Sequence, residues 1–240
     1  MLRTHLTVGR FQKYCKGLFH CLLELSGLFF GSLNSFVAHA LSFGVFLNMP
    51  RFLARLSAAS EENPLPPVIS YAVHLVGLVT CRDPQFKSQE TQILSLLIQS
   101  LSTAVSHIHP TEVLYILQAE VLLSNYFFHQ DRRLEGEYHI TAAVAIVLSS
   151  KLHQLGQASP SGSPRATDPS PLPPAADAIE QGERINAFWA VVTLDRCWSI
   201  ALGAQSALGR TDMTRITTPW PLDMADYEKV SVELLGHESG

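Results

Sequence analysis

Residues 183–199, ERINAFWAVVTLDRCWS, constrain the fold of this chain more than any other stretch. They place an apolar run between two charged pairs, Glu183-Arg184 and Asp195-Arg196. No helix breaker interrupts the run. Phe188, Val192, Asp195 and Ser199 recur at spacings of three and four and so share one helical face. Trp189, Val192 and Arg196 make an overlapping stripe, and Gly203 supplies a C-terminal stop. A bare charge inside an apolar helix is costly unless it is paired or hydrogen-bonded. The expectation is a helix at the centre of a helical domain, with Asp195 and Arg196 both bonded to other segments.

The remaining patterns are also helical. Pro50 opens a short helix, Arg51 to Ala59, and EENPLPP (61–67) is a turn. Val68 to Thr80 reads as an apolar helix. Asp83-Pro84 caps another, in which Phe86, Ile93, Leu97, Leu101, Ala104 and Ile108 recur at helical spacing. Val113 to Phe128 is apolar nearly all round, so it should be buried centrally. Leu134 to Leu152 follows, with Leu134, Tyr138, Val144, Leu148 and Leu152 expected inward and Gly156 as its end. Gln157 to Ala176 holds six prolines and four serines, a composition that builds no core. Beyond Gly203, TRITTPWP (214–221) reads as extended, and Met224 to Leu235 as a closing helix. The fold class is therefore all-α: one multi-helix domain of about seven helices with an inserted Pro/Ser-rich loop.

Charge and cysteine usage exclude some functions. The net charge is −4. Residues 1–16 hold four of the 17 basic residues and no acid, so residues 17–240 carry 13 against 21 acids, a net −8. Such a chain does not bind nucleic acid by electrostatics alone. The four cysteines, Cys15, Cys21, Cys81 and Cys197, include no C-x-x-C pair and read as buried free thiols. His107 and His109 stand two apart, and Glu120 lies in an apolar helix where either a general acid or a hydrogen-bonded core carboxylate could sit. Neither a nucleophile elbow, a phosphate-cradling loop nor a zinc-protease helix occurs in the sequence. No catalytic residues and no metal ligands are expected. A structural clamp is the expected role of Asp195-Arg196, and Trp198 and Trp220 are candidates to line an effector pocket.

The helix motif resembles the fungal-specific transcription factor domain, the regulatory middle homology region of fungal zinc-cluster activators, the xylanolytic-activator type among them. Glu183, Arg184, Phe188, Trp189, Leu194, Asp195, Arg196, Gly203, Pro219 and Pro221 stand at that family's positions. His109-Pro110 with VLYILQAEVLLSNYFF resembles its paired upstream helices, and FGVFLNMPRFLARL (43–56) the start of the domain. Three motifs in family order span Phe36 to Tyr227. The resemblance sets residues 31–235 apart as the regulatory domain, with 157–176 a flexible loop within it. Residues 1–30 are then an N-terminal segment with no counterpart, and 236–240 a polar tail.

The resemblance implies a non-enzymatic, nuclear regulator of DNA-templated transcription. Its partners would be the transcriptional machinery or an intramolecular segment. Glu183, Arg184, Trp189, Asp195 and Arg196 would be its motif and clamp residues. The family's zinc is held by a six-cysteine module, which these 240 residues lack, so no cofactor is expected here and DNA would be reached only through that module. The family's later helices also lie beyond the position of Tyr227, so an exposed apolar patch beside the 183–199 helix, and self-association through it, are expected. A second reading stays open at this stage. No Asp, Glu, Lys or Arg occurs between Glu24 and Arg51, and residues 17–49 could anchor a small integral membrane protein.

Overall fold

The computed structural model describes residues 26–58, 65–81, 87–106, 109–156, 172–210 and 216–237. Residues 1–25, the Asp83-Pro84 cap, His107, residues 157–171 of the Pro/Ser-rich loop, Thr214 and the last three residues of the polar tail lie outside the described residues. The fold is all-α. Among the described residues there are eight α-helices and no strand: α1 (Ser26–His39), α2 (Met49–Ala58), α3 (Pro67–Cys81), α4 (Lys87–Ser106), α5 (Val113–His129), α6 (Arg133–Ser149), α7 (Ala178–Leu202) and α8 (Met224–His237). They fall into two compact units. One holds α1 to α4; the other holds residues 43–48 and α5 to α8.

In the first unit, α3 packs against α1 and α4. Pro67 opens α3, where its missing N–H costs nothing. Val68, Ile69, Ala72, Val76 and Leu78 are buried on several sides of the helix. The approach of α1 to α3 depends on Gly77, because a Cβ there would lie 2.1 Å from the Ser32 carbonyl oxygen. Close backbones leave room for small polar pairs. Ser32 Oγ lies 2.7 Å from His74 Nδ1, and Ser35 Oγ 2.8 Å from Thr80 Oγ1. Ile93, Leu97 and Leu101 form the buried stripe of α4, as their spacing predicts.

The apolar stretch expected as a possible anchor is divided between different elements. Its helical part ends at His39, the 3₁₀ turn Ala40–Phe43 follows, and residues 43–48 belong to the second unit. Among the described residues no helix is long and apolar enough to cross a membrane.

In the second unit α5 is buried on almost every side, from Val113 to Phe128. Residues 43–48 lie along it. Gly44 takes a left-handed backbone (φ 72°), which turns the chain so that α5 side chains meet its polar groups. Gln118 accepts from Phe46 N (2.9 Å) and donates to Gly44 O (3.3 Å), while Asn125 donates to Phe43 O (3.1 Å). These side chains satisfy backbone that would otherwise be buried without partners.

The α6 helix corrects two expectations. Leu134 and Tyr138 face solvent, 81% and 69% exposed. The buried face is Gly136, His139, Ile140, Ala143, Val144, Ile146 and Val147, so Val144 and, past the end of the helix, Leu152 lie inward as expected. Gly136 lies against Phe128, where a Cβ would sit 2.8 Å from the ring, and Ser124 Oγ donates to Gly136 O at 2.9 Å. The helix also ends before Gly156, because Lys151 turns the chain in a left-handed conformation (φ 56°).

His74 generates a prediction. Burial holds its imidazole down from 6.5 to about 4, so it is neutral at pH 7. In the unfolded chain it protonates as pH falls below about 6.5, and in the folded chain only near pH 4. Its contribution to stability is therefore lost over that window as pH falls, by about 3 kcal/mol in all. Urea unfolding of His74→Gln should show a correspondingly flatter dependence between pH 7 and pH 4. Parallel curves for the two proteins would refute this role.

Candidate functional site

The longest helix, α7, begins at Asp177, whose side chain accepts from Glu180 N at 2.7 Å. It ends at Gly203 (φ 63°), whose N–H returns to Ile200 O while Ala204 N returns to Ser199 O. Within its unit α7 packs against α5, α6, α8 and the 3₁₀ turn Leu152–Gln154. Gly182 admits α8, since a Cβ there would lie 2.4 Å from the Tyr227 ring. Ile185, Phe188, Val191 and Leu194 form the apolar face.

Four motif side chains tie α7 to four different stretches of chain. Glu183 Oε1 accepts from Asn48 N at 2.9 Å, and Asn48 Nδ2 donates to Glu228 Oε1 of α8 at 2.6 Å. Arg184 donates to Pro173 O (2.7 Å) and to Glu180 (2.6 Å), whose other oxygen accepts from Ala176 N. The guanidinium thus holds the chain that enters the helix. Trp189 Nε1 donates to Pro219 O at 2.6 Å, and its ring stacks on Trp220 at 4.2 Å. Pro219 is presented by a segment without regular structure that is pinned to the turn after α6. Thr217 N donates to His153 O, Thr218 Oγ1 to Leu152 O, and Leu155 N to Thr218 Oγ1.

Asp195 is the fourth and the most buried, at 2% exposure. Its carboxylate accepts from Ala207 N (2.9 Å), Leu208 N (3.2 Å) and the Ser206 hydroxyl. Three donors from one loop replace the water that burial removed. Arg196 does not share this work. It is exposed and has no partner among the described residues, because one residue step turns it about 100° away from Asp195 around the helix. The expected two-residue clamp is a one-residue clamp. Its partners are hydrogen-bond donors rather than a counter-charge, and sequence spacing cannot reveal backbone donors.

The other expected residues are dispersed. Trp198 is half-buried, stacks on Phe128 with ring centroids 3.7 Å apart, and lines a cleft between α6, α7 and the loop after Gly203. Trp220 does not line that cleft; it lies 75% exposed against Trp189. Ile200 and Leu222 are exposed as well, at 83% and 57%. Cys81 and Cys197 are exposed rather than buried, Cys81 as the last residue of α3 and Cys197 on the outward side of α7. Glu120 is a core carboxylate, its Oε2 2.6 Å from His139 Nδ1 under the Phe127 ring. His109 accepts from Thr111 N (3.4 Å) and so caps the turn that leads into α5.

The fungal-specific transcription factor domain profile matches residues 28–233. The chain belongs to that family. Comparison with curated proteins and with solved structures gives no significant match. The domain's sequence motif now has a physical content. Glu183, Arg184, Trp189 and Asp195 are the polar side chains through which its long helix holds the chain around it.

Asp195→Ala should destabilise the domain by about 3 kcal/mol, since it strands two backbone N–H groups and a hydroxyl. Arg196→Ala should change stability by less than about 0.5 kcal/mol. Urea midpoints check both. Equal losses in the two variants would restore the paired clamp.

Proposed function

We propose that this chain is the regulatory region of a fungal zinc-cluster-type transcription factor, acting in the nucleus, with DNA read by a separate module. The observation that carries this reading is the family match over residues 28–233. Two further features support the division of labour. Six thiolates in C-x-x-C pairs are needed for a binuclear zinc cluster, and residues 1–240 have four cysteines without such a pair. The net −8 of residues 17–240 opposes a phosphate backbone. The role is regulatory rather than enzymatic, as the family implies, and its partners are components of the transcriptional machinery or a segment of the same factor. The exposed side chains Trp220, Leu222 and Ile200 suit such contacts, or contacts between copies of the domain.

Two measurements test the proposal. Purified chain should give no competition-resistant gel shift with duplex DNA at about 10 nM, where specific modules bind. Joined to an unrelated DNA-binding module in a yeast reporter strain, it should change output relative to that module alone, and Asp195→Ala should remove the change. A specific shift at that concentration would overturn the division of labour. A fusion that matches the bare module under every condition would overturn the regulatory role.

A further inference from the structure

The cleft beside Trp198 is built within the second unit by α5, α6, α7 and the loop after Gly203; it is small, about 40 Å³, and partly open to solvent. We propose that it binds a small organic cation, a molecule carrying an amine or ammonium group on a short carbon frame. The proposal stands on the cleft's geometry and does not depend on the regulatory reading.

Four features of the lining select positive charge. Among the described residues, the charged ones that line the cleft are Asp195 and Glu137, both carboxylates. Asp195 accepts from its three loop donors. Glu137 is exposed, and its carboxylate has no partner among the described residues. The basic residues one turn earlier are already engaged. Arg132 bonds Glu135 and covers the Phe127 ring, and Arg133 bonds Asp131. Among the described residues no cation is thus paired with Glu137 at the rim.

The second feature is the indole of Trp198, held in place by its stack on Phe128 and only half-buried. An indole is the aromatic surface that best attracts a cation. The third is the C-terminal end of α7. Ser199, Leu202 and Ala204 line the cleft where that helix stops, so the negative end of its dipole lies there. The fourth is neutral polarity: the hydroxyls of Thr141 and Ser199 and the amide of Gln205 offer hydrogen-bond acceptors to an ammonium N–H. Ile140, Leu202 and Ala207 supply an apolar wall for the carbon frame.

The test is titration of the purified full chain with 1,4-diaminobutane by calorimetry and by ligand-observed NMR, with 1,4-butanediol as the uncharged control. Expected is saturable diamine binding at about 1 mM or tighter, weakened by added salt, with no saturable diol binding. Glu137→Gln, an exposed and unpartnered position, should weaken the diamine at least about tenfold. Thr141→Lys should abolish binding by placing a cation in the cleft, with unchanged helical circular dichroism in both variants. Absence of saturable diamine binding, equal binding of diol and diamine, or an unchanged affinity in Glu137→Gln would each overturn the proposal.

Discussion

The second unit depends on satisfying polar groups that α7 carries into the interior. A helix with an apolar face on several sides gains stability by burial from every neighbour, but burial alone has no direction. The four motif side chains supply direction. Glu183 reaches residues 43–48, Arg184 the chain entering the helix, Trp189 the segment at Pro219, and Asp195 the loop at Ser206 to Leu208. Each bond joins stretches far apart in sequence or fixes a segment that has no helix of its own. An alternative packing of the same apolar faces would leave these groups buried without partners, which costs more than the bonds contribute.

Small residues act in the same way on the backbone. Gly77, Gly136 and Gly182 lie where another element passes too close for a Cβ. At each of them the approach brings short polar groups or an aromatic ring into contact. The Ser32–His74 pair, the Ser124 bond to Gly136 O and the Tyr227 ring over α7 all follow from that proximity. The neutral, buried His74 belongs to the same logic, since its depressed pKa reflects the dry interface that Gly77 permits.

The structural core of the domain and its cleft share one element. Asp195 orders the loop after Gly203, and that loop forms one wall of the space beside Trp198. The side chain that stabilises the fold therefore also shapes the recess and contributes to its negative potential. A ligand there would bear on the C-terminal end of the helix that organises the unit. That position suits a regulatory domain, in which occupancy must alter packing rather than chemistry.

The sequence by itself determined the helical class, the burial of α5 and the central place of residues 183–199. Apolar periodicity and capping residues are local properties, and they act wherever a helix finds an apolar surface. It also carried the family motif, and Asp195 was legible as a charge that needs partners. The partners were not legible, because backbone N–H groups at residues 207 and 208 leave no mark in side-chain spacing. The exposure of Arg196, Leu134 and Tyr138 was decided by tertiary structure. Adjacent helical residues differ by about 100°, so a small rotation set by contacts such as Gly136 on Phe128 moves a side chain from core to solvent. The cleft likewise exists only in three dimensions. Glu137 and Trp198 stand sixty-one positions apart in the chain, and the packing of α6 on α7 brings them to one recess.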